Sequence, residues 1–286
     1  MNTENRDYIT KSVNELFKKN SRYVYMNIEE ICNLGHTDKM TGATLSTDKR
    51  VDFVDADSEV EMDKYINQII NADCLDILKQ LPDKCIDLVL TDPPYGMNFQ
   101  SNHRHIKHKK IENDNNLNWL PEWCKQISRV IKDNVHLYIF CSWHNVDVFK
   151  QEIEKYIKVK NILIWAKNNT GMGDLQNDYA PQYEMIIYCN PQNKPLNNGR
   201  DSNILRFNRT NNSNHPTEKP IPLISFLIDK SSKENDLVLD TFAGSCPVAI
   251  ACHNLKRRFI CIERDTDYYN ASVERLKDAQ SQLKLF

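Results

Sequence analysis

The stretch Ile86-Asp87-Leu88-Val89-Leu90-Thr91-Asp92-Pro93-Pro94-Tyr95 decides the fold. Its first six residues form a short, mainly apolar run, which is typical of a buried strand. A carboxylate, two prolines and an aromatic ring then follow at the carboxyl end of that strand. Because ligands bind at this edge of open α/β sheets, the sequence predicts a functional site at Asp92, Pro93, Pro94 and Tyr95.

The same four residues suit the methylation of an exocyclic amine on a nucleobase. The Asp92 carboxylate and the Pro93 carbonyl can each accept one N–H of the amine. Neither proline has an N–H and both have a fixed φ, so the backbone acceptor is held in place. Tyr95 offers a face on which a flipped-out base can stack. We therefore predict that Asp92, Pro93, Pro94 and Tyr95 are catalytic, the alternative being a Pro-Pro turn with a surface tyrosine.

A second pattern lies about 150 residues further along the chain. Residues 236–246, Asp-Leu-Val-Leu-Asp-Thr-Phe-Ala-Gly-Ser-Cys, predict a strand, a tight turn of small residues and a helix. Gly244 and Ser245 allow the backbone to approach a ligand at the helix N-terminus. The next predicted strand, 258–262, ends at Glu263, where an acidic residue is placed to bind ribose hydroxyls.

The third pattern is His215-Pro216-Thr217-Glu218-Lys219-Pro220, followed by an apolar stretch. Taken in order, Asp-Pro-Pro-Tyr, His-Pro-Thr-Glu-Lys-Pro and Asp-Thr-Phe-Ala-Gly-Ser resemble the amino-group DNA methyltransferases that use S-adenosylmethionine. The catalytic motif precedes the cofactor motif, an order similar to that of the β group, which is a circular permutation of the same fold. The resemblance covers about residues 66–276. It implies a Rossmann-like α/β methyltransferase fold with a mixed, mostly parallel sheet and helices on both faces.

The resemblance also implies S-adenosyl-L-methionine as the cofactor. It places Asp73 near the adenine of the cofactor and Lys219 near its carboxylate. The residues expected to bind the cofactor are Asp73, Cys74, Asp92, His215, Thr217, Lys219, Asp240, Phe242, Ala243, Gly244, Ser245, Glu263 and Arg264. Cys246 departs from the family pattern, which usually has glycine at this position, and we expect its thiol to point into the helix packing.

Two segments are expected to contact double-stranded DNA. A polar stretch at 98–118 follows the catalytic motif and carries Arg104, Lys107, Lys109 and Lys110, which can neutralise phosphates. A short insert at 190–214 carries Arg200, Arg206 and Arg209, in the place where family members have their target-recognition region. The histidines at 103, 105 and 108 have no cysteine or carboxylate at ligand spacing, so we expect no metal site.

The sequence predicts two parts: residues 1–65 as an N-terminal extension of unknown role, and residues 66–286 as the catalytic domain. Within the 286 residues no apolar run approaches the ~20 residues of a membrane span, and the N-terminus lacks a signal-peptide pattern. The nine cysteines form no Cys-x-x-Cys pair and are expected to be reduced thiols in a cytoplasmic protein. The net charge of −2 leaves DNA binding to local basic patches.

The preferred reaction is direct methylation of adenine N6, without a covalent enzyme intermediate. Cytosine N4 remains the alternative, since both amines need the same geometry. C5-cytosine methylation is disfavoured because it uses a Pro-Cys motif at the catalytic strand, whereas Cys246-Pro247 has the wrong order and position. An enzyme acting on RNA or protein amides and a catalytically silent DNA-binding regulator are less favoured. A homodimer and a cognate restriction nuclease are left open as partners.

Overall fold

The computed structural model describes residues 62–96, 116–171, 176–210 and 218–281. The chain divides into two compact units, Met1–Lys64 and Tyr65–Phe286, and all but residues 62–64 of the described part belong to the second. Within the described ranges, no helix is both long and apolar enough to cross a membrane. The boundary and role of the N-terminal extension stay predictions.

The second unit is built on an eight-stranded mixed sheet. Its strands are β1 (Gln68–Asn71), β2 (Ile86–Thr91), β3 (Ile131–Cys141), β4 (Val159–Ala166), β5 (Tyr183–Cys189), β6 (Ile204–Arg206), β7 (Leu237–Asp240) and β8 (Arg258–Glu263). Their order across the sheet is β1-β8-β7-β2-β3-β5-β4-β6. β5 runs antiparallel to both of its neighbours, and the other neighbouring pairs are parallel.

Six helices of the described unit pack on this sheet. They are α1 (Cys74–Gln80), α2 (Leu120–Val130), α3 (Val146–Glu154), α4 (Ile221–Ser231), α5 (Pro247–Asn254) and α6 (Thr266–Ser281). Contacts run from α1 to α2 to α3, and separately from α4 to α5 to α6. Leu88 and Leu90 of β2 share a core cluster with residues of α4 and α5, whereas Val89 between them is equally buried but lies outside that cluster. Since successive strand residues point to opposite faces, helices cover both faces of the sheet.

Within the described residues, the structure departs from what the sequence patterns predict at three places. The apolar run 135–141 predicts a strand, but β3 begins already at Ile131, because Lys132, Asp133 and Asn134 are exposed and hide the apolar pattern. Residues 69–74 predict a short strand that ends in an acidic residue, but β1 ends at Asn71 and Asp73 is the N-cap of α1. β6 forms within the polar insert, where three residues add to the sheet edge beside β4.

Cys246 lies at the N-cap of α5 with φ +55° and ψ 46°, the left-handed region that favours glycine. Its side chain is fully buried in the core cluster and does not line the cleft described below. The thiol therefore points into the packing, as the sequence predicts. A side chain in this conformation costs roughly 1–2 kcal/mol.

We expect Cys246→Gly to be more stable than Cys246→Ala by about 1 kcal/mol. Both variants lose the buried thiol, but only glycine relieves the backbone strain. Urea unfolding of the two variants at one pH measures the difference. If the alanine variant is equally or more stable, the backbone at residue 246 is not strained.

Candidate active site

The catalytic motif follows β2, at the point where the strand order reverses. β2 lies between β7 and β3, and the chain runs from β2 to β3 on one side and from β7 to β8 on the other. In open α/β sheets, a crevice for ligands forms at the carboxyl ends of strands at such a point. Asp92 therefore emerges beside the turn that follows β7, although the two segments are about 150 residues apart.

A buried polar network joins the catalytic motif to this turn. The Thr91 hydroxyl donates to Oδ1 of Asp240 at 2.8 Å and accepts from the backbone N–H of Thr241 at 3.2 Å. The Thr241 hydroxyl in turn accepts from the Trp123 indole at 3.0 Å. These groups are fully buried and mutually satisfied, so they fix the distance between the catalytic motif and the turn.

The turn after β7 is held open by Glu263. One carboxylate oxygen of Glu263 accepts the Gly244 N–H at 2.7 Å, and the other accepts the Asp265 N–H at 2.8 Å. Gly244 has φ +52°, which a residue with a side chain rarely adopts. Glu263, predicted to bind ribose, thus also shapes the glycine turn, and each of its oxygens has a lone pair left for a further donor.

The turn and the catalytic motif line one cleft that opens to solvent. The lining combines apolar side chains with three carboxylates and one ammonium group. The residues that line it are Leu90, Thr91, Asp92, Phe140, Glu218, Lys219, Ile224, Asp240, Phe242, Ala243, Gly244, Ser245, Pro247 and Val248. The structure therefore brings together seven of the residues predicted to bind the cofactor.

The charged and apolar groups that line this cleft suit the chemistry of S-adenosyl-L-methionine. Burial raises the pKa of Asp240 to about 7, which disfavours its charge until a cation arrives. The cofactor carries cationic ammonium and sulfonium groups, and the acidic wall suits them. Phe242 and the small residues Ala243, Gly244 and Ser245 leave room for an apolar, flat group against the turn.

Asp92 makes two strong contacts at the mouth of the cleft. The Tyr95 hydroxyl donates to its Oδ1 at 2.6 Å, and Lys219 Nζ lies 2.5 Å from its Oδ2. Burial raises the pKa of the Asp92 carboxyl, while the Lys219 ammonium opposes this. Asn145 donates to the Tyr95 carbonyl at 2.5 Å, which anchors the motif to the segment after β3.

Lys219 was expected near the cofactor carboxylate, and the structure gives it two protein partners. Its ammonium lies 2.5 Å from Asp92, 3.2 Å from Oε2 of Glu184 and 5.1 Å from the centre of the Phe140 ring. Glu184 is a site residue that the sequence patterns do not indicate. A charged residue near the start of the apolar strand 183–189 was the only available sign of it.

A family model described as DNA methylase, N6_N4_Mtase, matches residues 86–274, which is more than half of the chain. The chain belongs to the N6-adenine/N4-cytosine family of DNA methyltransferases. The predictions of the family, the fold class and S-adenosyl-L-methionine as the cofactor are thereby confirmed.

Two curated relatives of this methyltransferase cover most of both chains. The type II methyltransferase M2.MboI of Moraxella bovis is 28% identical over an alignment of 250 residues that covers 78% of this chain and 91% of the relative. The DNA adenine methyltransferase YhdJ of Escherichia coli is 27% identical over an alignment of 246 residues that covers 73% of this chain and 82% of the relative.

Solved structures share the fold. The M1.HpyAVI–SAM complex superposes with a TM-score of 0.57 and 26% identity, covering 73% of this chain and 98% of the other. The cytosine-N4-specific PvuII DNA methyltransferase superposes with a TM-score of 0.58 at 17% identity, covering 73% of this chain and 89% of the other. The second likeness shows the fold alone.

Four predicted cofactor residues at the ends of β1 and β8 do not line the cleft, namely Asp73, Cys74, Glu263 and Arg264. Asp73 accepts the Leu75 N–H at 2.9 Å, and Arg264 Nη1 lies 3.6 Å from its other oxygen. Cys74 is buried in the first turn of α1. Since β1 and β8 are neighbours, the methyltransferase brings these four residues together, and the bond from Gly244 to Glu263 joins them to the turn after β7.

The basic residues predicted to bind DNA are divided. Arg206 ends β6 and lies level with the end of β4, at the same edge as the catalytic motif. Arg209 follows it, and its N–H is bonded to Asn168 at 3.0 Å. Arg200 lies next to the Gly199 carbonyl that Lys230 of α4 binds, near the opposite edge. The other predicted residues, Arg104, Lys107, Lys109, Lys110, His215 and Thr217, lie outside the described residues.

We expect Asp240→Asn to remove one proton-linked step from the unfolding of the cofactor-free methyltransferase. The native pKa of Asp240, about 7, exceeds its unfolded value. This raised pKa contributes stability that is fully present below pH ~4 and is lost as pH rises through ~7. The free energy of unfolding of the wild type should therefore fall relative to the variant by about 1 kcal/mol per pH unit within this window. Denaturant titrations at several pH values test this; parallel curves would place the Asp240 pKa at an ordinary value.

Proposed function

We propose that this methyltransferase transfers the methyl group of S-adenosyl-L-methionine to the N6 amine of adenine in duplex DNA, after flipping the base out of the helix. The observation that carries the proposal is the place of Asp92. Its carboxylate lines the same cleft as residues 242–245 and accepts the Tyr95 hydroxyl. An amine bonded to this carboxylate would therefore lie at that cleft.

Asp92 and Pro93 prepare the amine for attack. In the free base, the nitrogen lone pair is delocalised into the ring. When the Asp92 carboxylate and the Pro93 carbonyl each accept one N–H, the nitrogen becomes more pyramidal and its lone pair points away from the ring plane. The bound cofactor supplies the methyl group as an electrophile on a cationic sulfur. Asp92 would stabilise the positive charge that develops on the nitrogen as the N–C bond forms and S-adenosylhomocysteine leaves, and the nitrogen would then give up one proton to the solvent.

Positioning supplies much of the expected rate, and no covalent intermediate with the enzyme is needed. The Thr91–Asp240 bond fixes the two halves of the site before the base arrives. In the absence of DNA, the Tyr95 hydroxyl donates to Oδ1 of Asp92. A carboxylate oxygen has two lone pairs, so Oδ1 can accept the target amine while it keeps this bond. The Tyr95 ring is then held beside the amine, where it can stack on the base.

The preference for adenine rests on association. Family members with Asp at the first position of the catalytic motif are mostly adenine enzymes, and this chain has Asp92 there. One relative that covers most of the chain, YhdJ, is named a DNA adenine methyltransferase. Cytosine N4 is the second outcome of the experiment below, since the geometry around Asp92 suits both amines.

We expect Asp92→Asn to lower the methylation rate of duplex DNA by ~10²-fold or more, because the amide cannot stabilise the developing charge. Incubation of a mixed-sequence duplex with labelled cofactor, followed by nucleoside mass spectrometry, gives both the rate and the methylated base. Far-UV circular dichroism and thermal unfolding of the variant are the controls for loss of the fold. Wild-type formation of N4-methylcytosine instead of N6-methyladenine would contradict the choice of base, and full activity of the variant would contradict the role of Asp92.

An exposed aromatic pair beside the catalytic motif is proposed to contact the DNA. Trp143 is 55% exposed and stacks on His144, with ring centres 3.8 Å apart. The turn that carries them is rigid, since Ser142 bonds His144 and Asn145 bonds the Tyr95 carbonyl. A large aromatic ring held at this edge loses little entropy when a base stacks on it.

Trp143→Ala should raise the KM for duplex DNA by ~5- to 100-fold, as expected from the loss of one stacked base. Affinity for S-adenosylhomocysteine should not change, because Trp143 does not line the cleft. Steady-state kinetics over a DNA concentration series measures the effect, and Tyr156→Ala, which removes another exposed aromatic ring, is the matched control. An unchanged KM would remove Trp143 from the DNA interface.

The other expectations about binding partners remain predictions from the sequence. They concern the phosphate contacts of the 103–110 segment, target recognition by the 190–214 insert, the homodimer and the cognate nuclease. A location in the cytoplasm likewise remains an expectation from the sequence.

A further inference from the structure

We propose that Glu184 is a positioning residue that acts on Asp92 through Lys219. Its carboxylate competes with that of Asp92 for the Lys219 ammonium. This inference rests on the proposed role of Asp92 as the acceptor of the target amine. Glu184 lies outside every motif that indicates the family, and it does not line the cleft. Its effect on the reaction must therefore pass through its neighbours.

Four side chains form a row of alternating charge. Lys167 Nζ lies 2.7 Å from Oε1 of Glu184, Lys219 Nζ lies 3.2 Å from Oε2 of Glu184, and the same ammonium lies 2.5 Å from Oδ2 of Asp92. Only 5% of the Lys219 side chain and 21% of the Glu184 side chain are exposed. At this burial, charge pairs are weakly screened, so a change at one end of the row is felt at the other.

The topology of the sheet explains how Glu184 reaches this place. β5 is antiparallel to its neighbours, so its first residues lie at the edge where the parallel strands end. Glu184 pairs with Trp165 of β4, and Lys167 follows directly after that strand. Lys219 arrives from the segment before α4. With Asp92 directly after β2, four separate segments thus supply the row.

The sharing of Lys219 bears on the strength of Asp92 as an acceptor. An ammonium that belonged to Asp92 alone would draw charge from its carboxylate and weaken the hydrogen bond to the target amine. Glu184 also attracts the Lys219 ammonium and so weakens its pull on the Asp92 carboxylate. Lys167 pairs with the other oxygen of Glu184 and holds it in place. Lys219 still favours the charge of Asp92 and orients it at Oδ2, while Oδ1 accepts the Tyr95 hydroxyl and faces the proposed position of the base.

The charges also set the direction of the expected pKa changes. The titratable groups that face Glu184 are Asp92, Tyr95, Cys141, Lys167 and Lys219, and Asp92 also faces Asp240. Burial acts to raise the pKa of Glu184, but Lys219 and Lys167 hold it below its ordinary value, so Glu184 is anionic at neutral pH. Its negative charge raises the pKa of Asp92. Loss of the Glu184 charge should therefore lower the pKa of Asp92, and loss of the Lys167 charge should raise it.

The test compares Glu184→Gln, Glu184→Asp and Lys167→Gln in the full-length protein. Asp92 is titrated directly by the 13C resonance of its carboxyl in protein labelled at aspartate, assigned by its absence in Asp92→Asn. Methylation of duplex DNA is measured over the same pH range. Thermal unfolding of each variant controls for loss of the fold.

We expect Glu184→Gln to move the Asp92 titration and the acid limb of kcat/KM down by ~1 pH unit, and Lys167→Gln to move both upward. The kcat of Glu184→Gln should fall by ~10-fold or more. Glu184→Asp keeps the charge, so it should titrate like the wild type and recover part of the lost kcat. A purely structural role would lower stability without moving the two titrations in opposite directions.

An Asp92 titration that is the same in wild type, Glu184→Gln and Lys167→Gln would overturn the inference. So would a shift of Asp92 in these variants without any change in kcat. The direct titration does not depend on turnover. If the variants show the expected shifts relative to the wild type but the wild type methylates no DNA, the proposed function is refuted and the coupling between Glu184 and Asp92 stands.

Discussion

The buried hydrogen bond from Thr91 to Asp240 is the constraint on which the site depends. It joins the ends of two neighbouring strands, one leading into the catalytic motif and the other into the cofactor turn. Because both groups are buried, breaking this bond would remove one partner from each of them, at a cost of about 1 kcal/mol or more. The proposed alignment of the amine acceptor with the methyl donor thus depends on the contact between two neighbouring strands.

The carboxylates of Asp240 and Asp92, which both line the cleft, lie in different electrostatic environments. The cleft contains Asp240, whose pKa burial raises to about 7, and Asp92, which is held by Lys219. The first carboxylate is poised to become anionic when a cation binds. The second is paired with Lys219. In the proposed mechanism Asp240 thus serves the cationic cofactor and Asp92 the neutral base, and the charge of Asp92 adds to the raised pKa of Asp240.

The sequence was sufficient for the elements whose chemistry is local. Asp92 to Tyr95 and residues 240–245 lie at strand ends whose apolar runs are plain, so their convergence followed from the rule for parallel sheets. Glu184 could not be predicted, because it reaches the site only since β5 runs antiparallel to its neighbours. The residues of a strand do not reveal in which direction it runs within the sheet. The division between Arg200 and Arg206 was hidden for a related reason, since the three-residue strand β6 has no periodicity long enough to detect.

The strand order also governs how the chain can fold as it is made. Among the described strands, β1 pairs with β8 alone, and β2 needs β7 on one side, so both early strands lack that neighbour until the last third of the chain has been made. The strand that leads into the catalytic motif precedes its partner β7 by about 150 residues. Contacts of such long sequence separation slow folding and favour aggregation of incomplete chains. The permuted order of the motifs thus postpones the pairing of β2 with β7 to a late stage of synthesis.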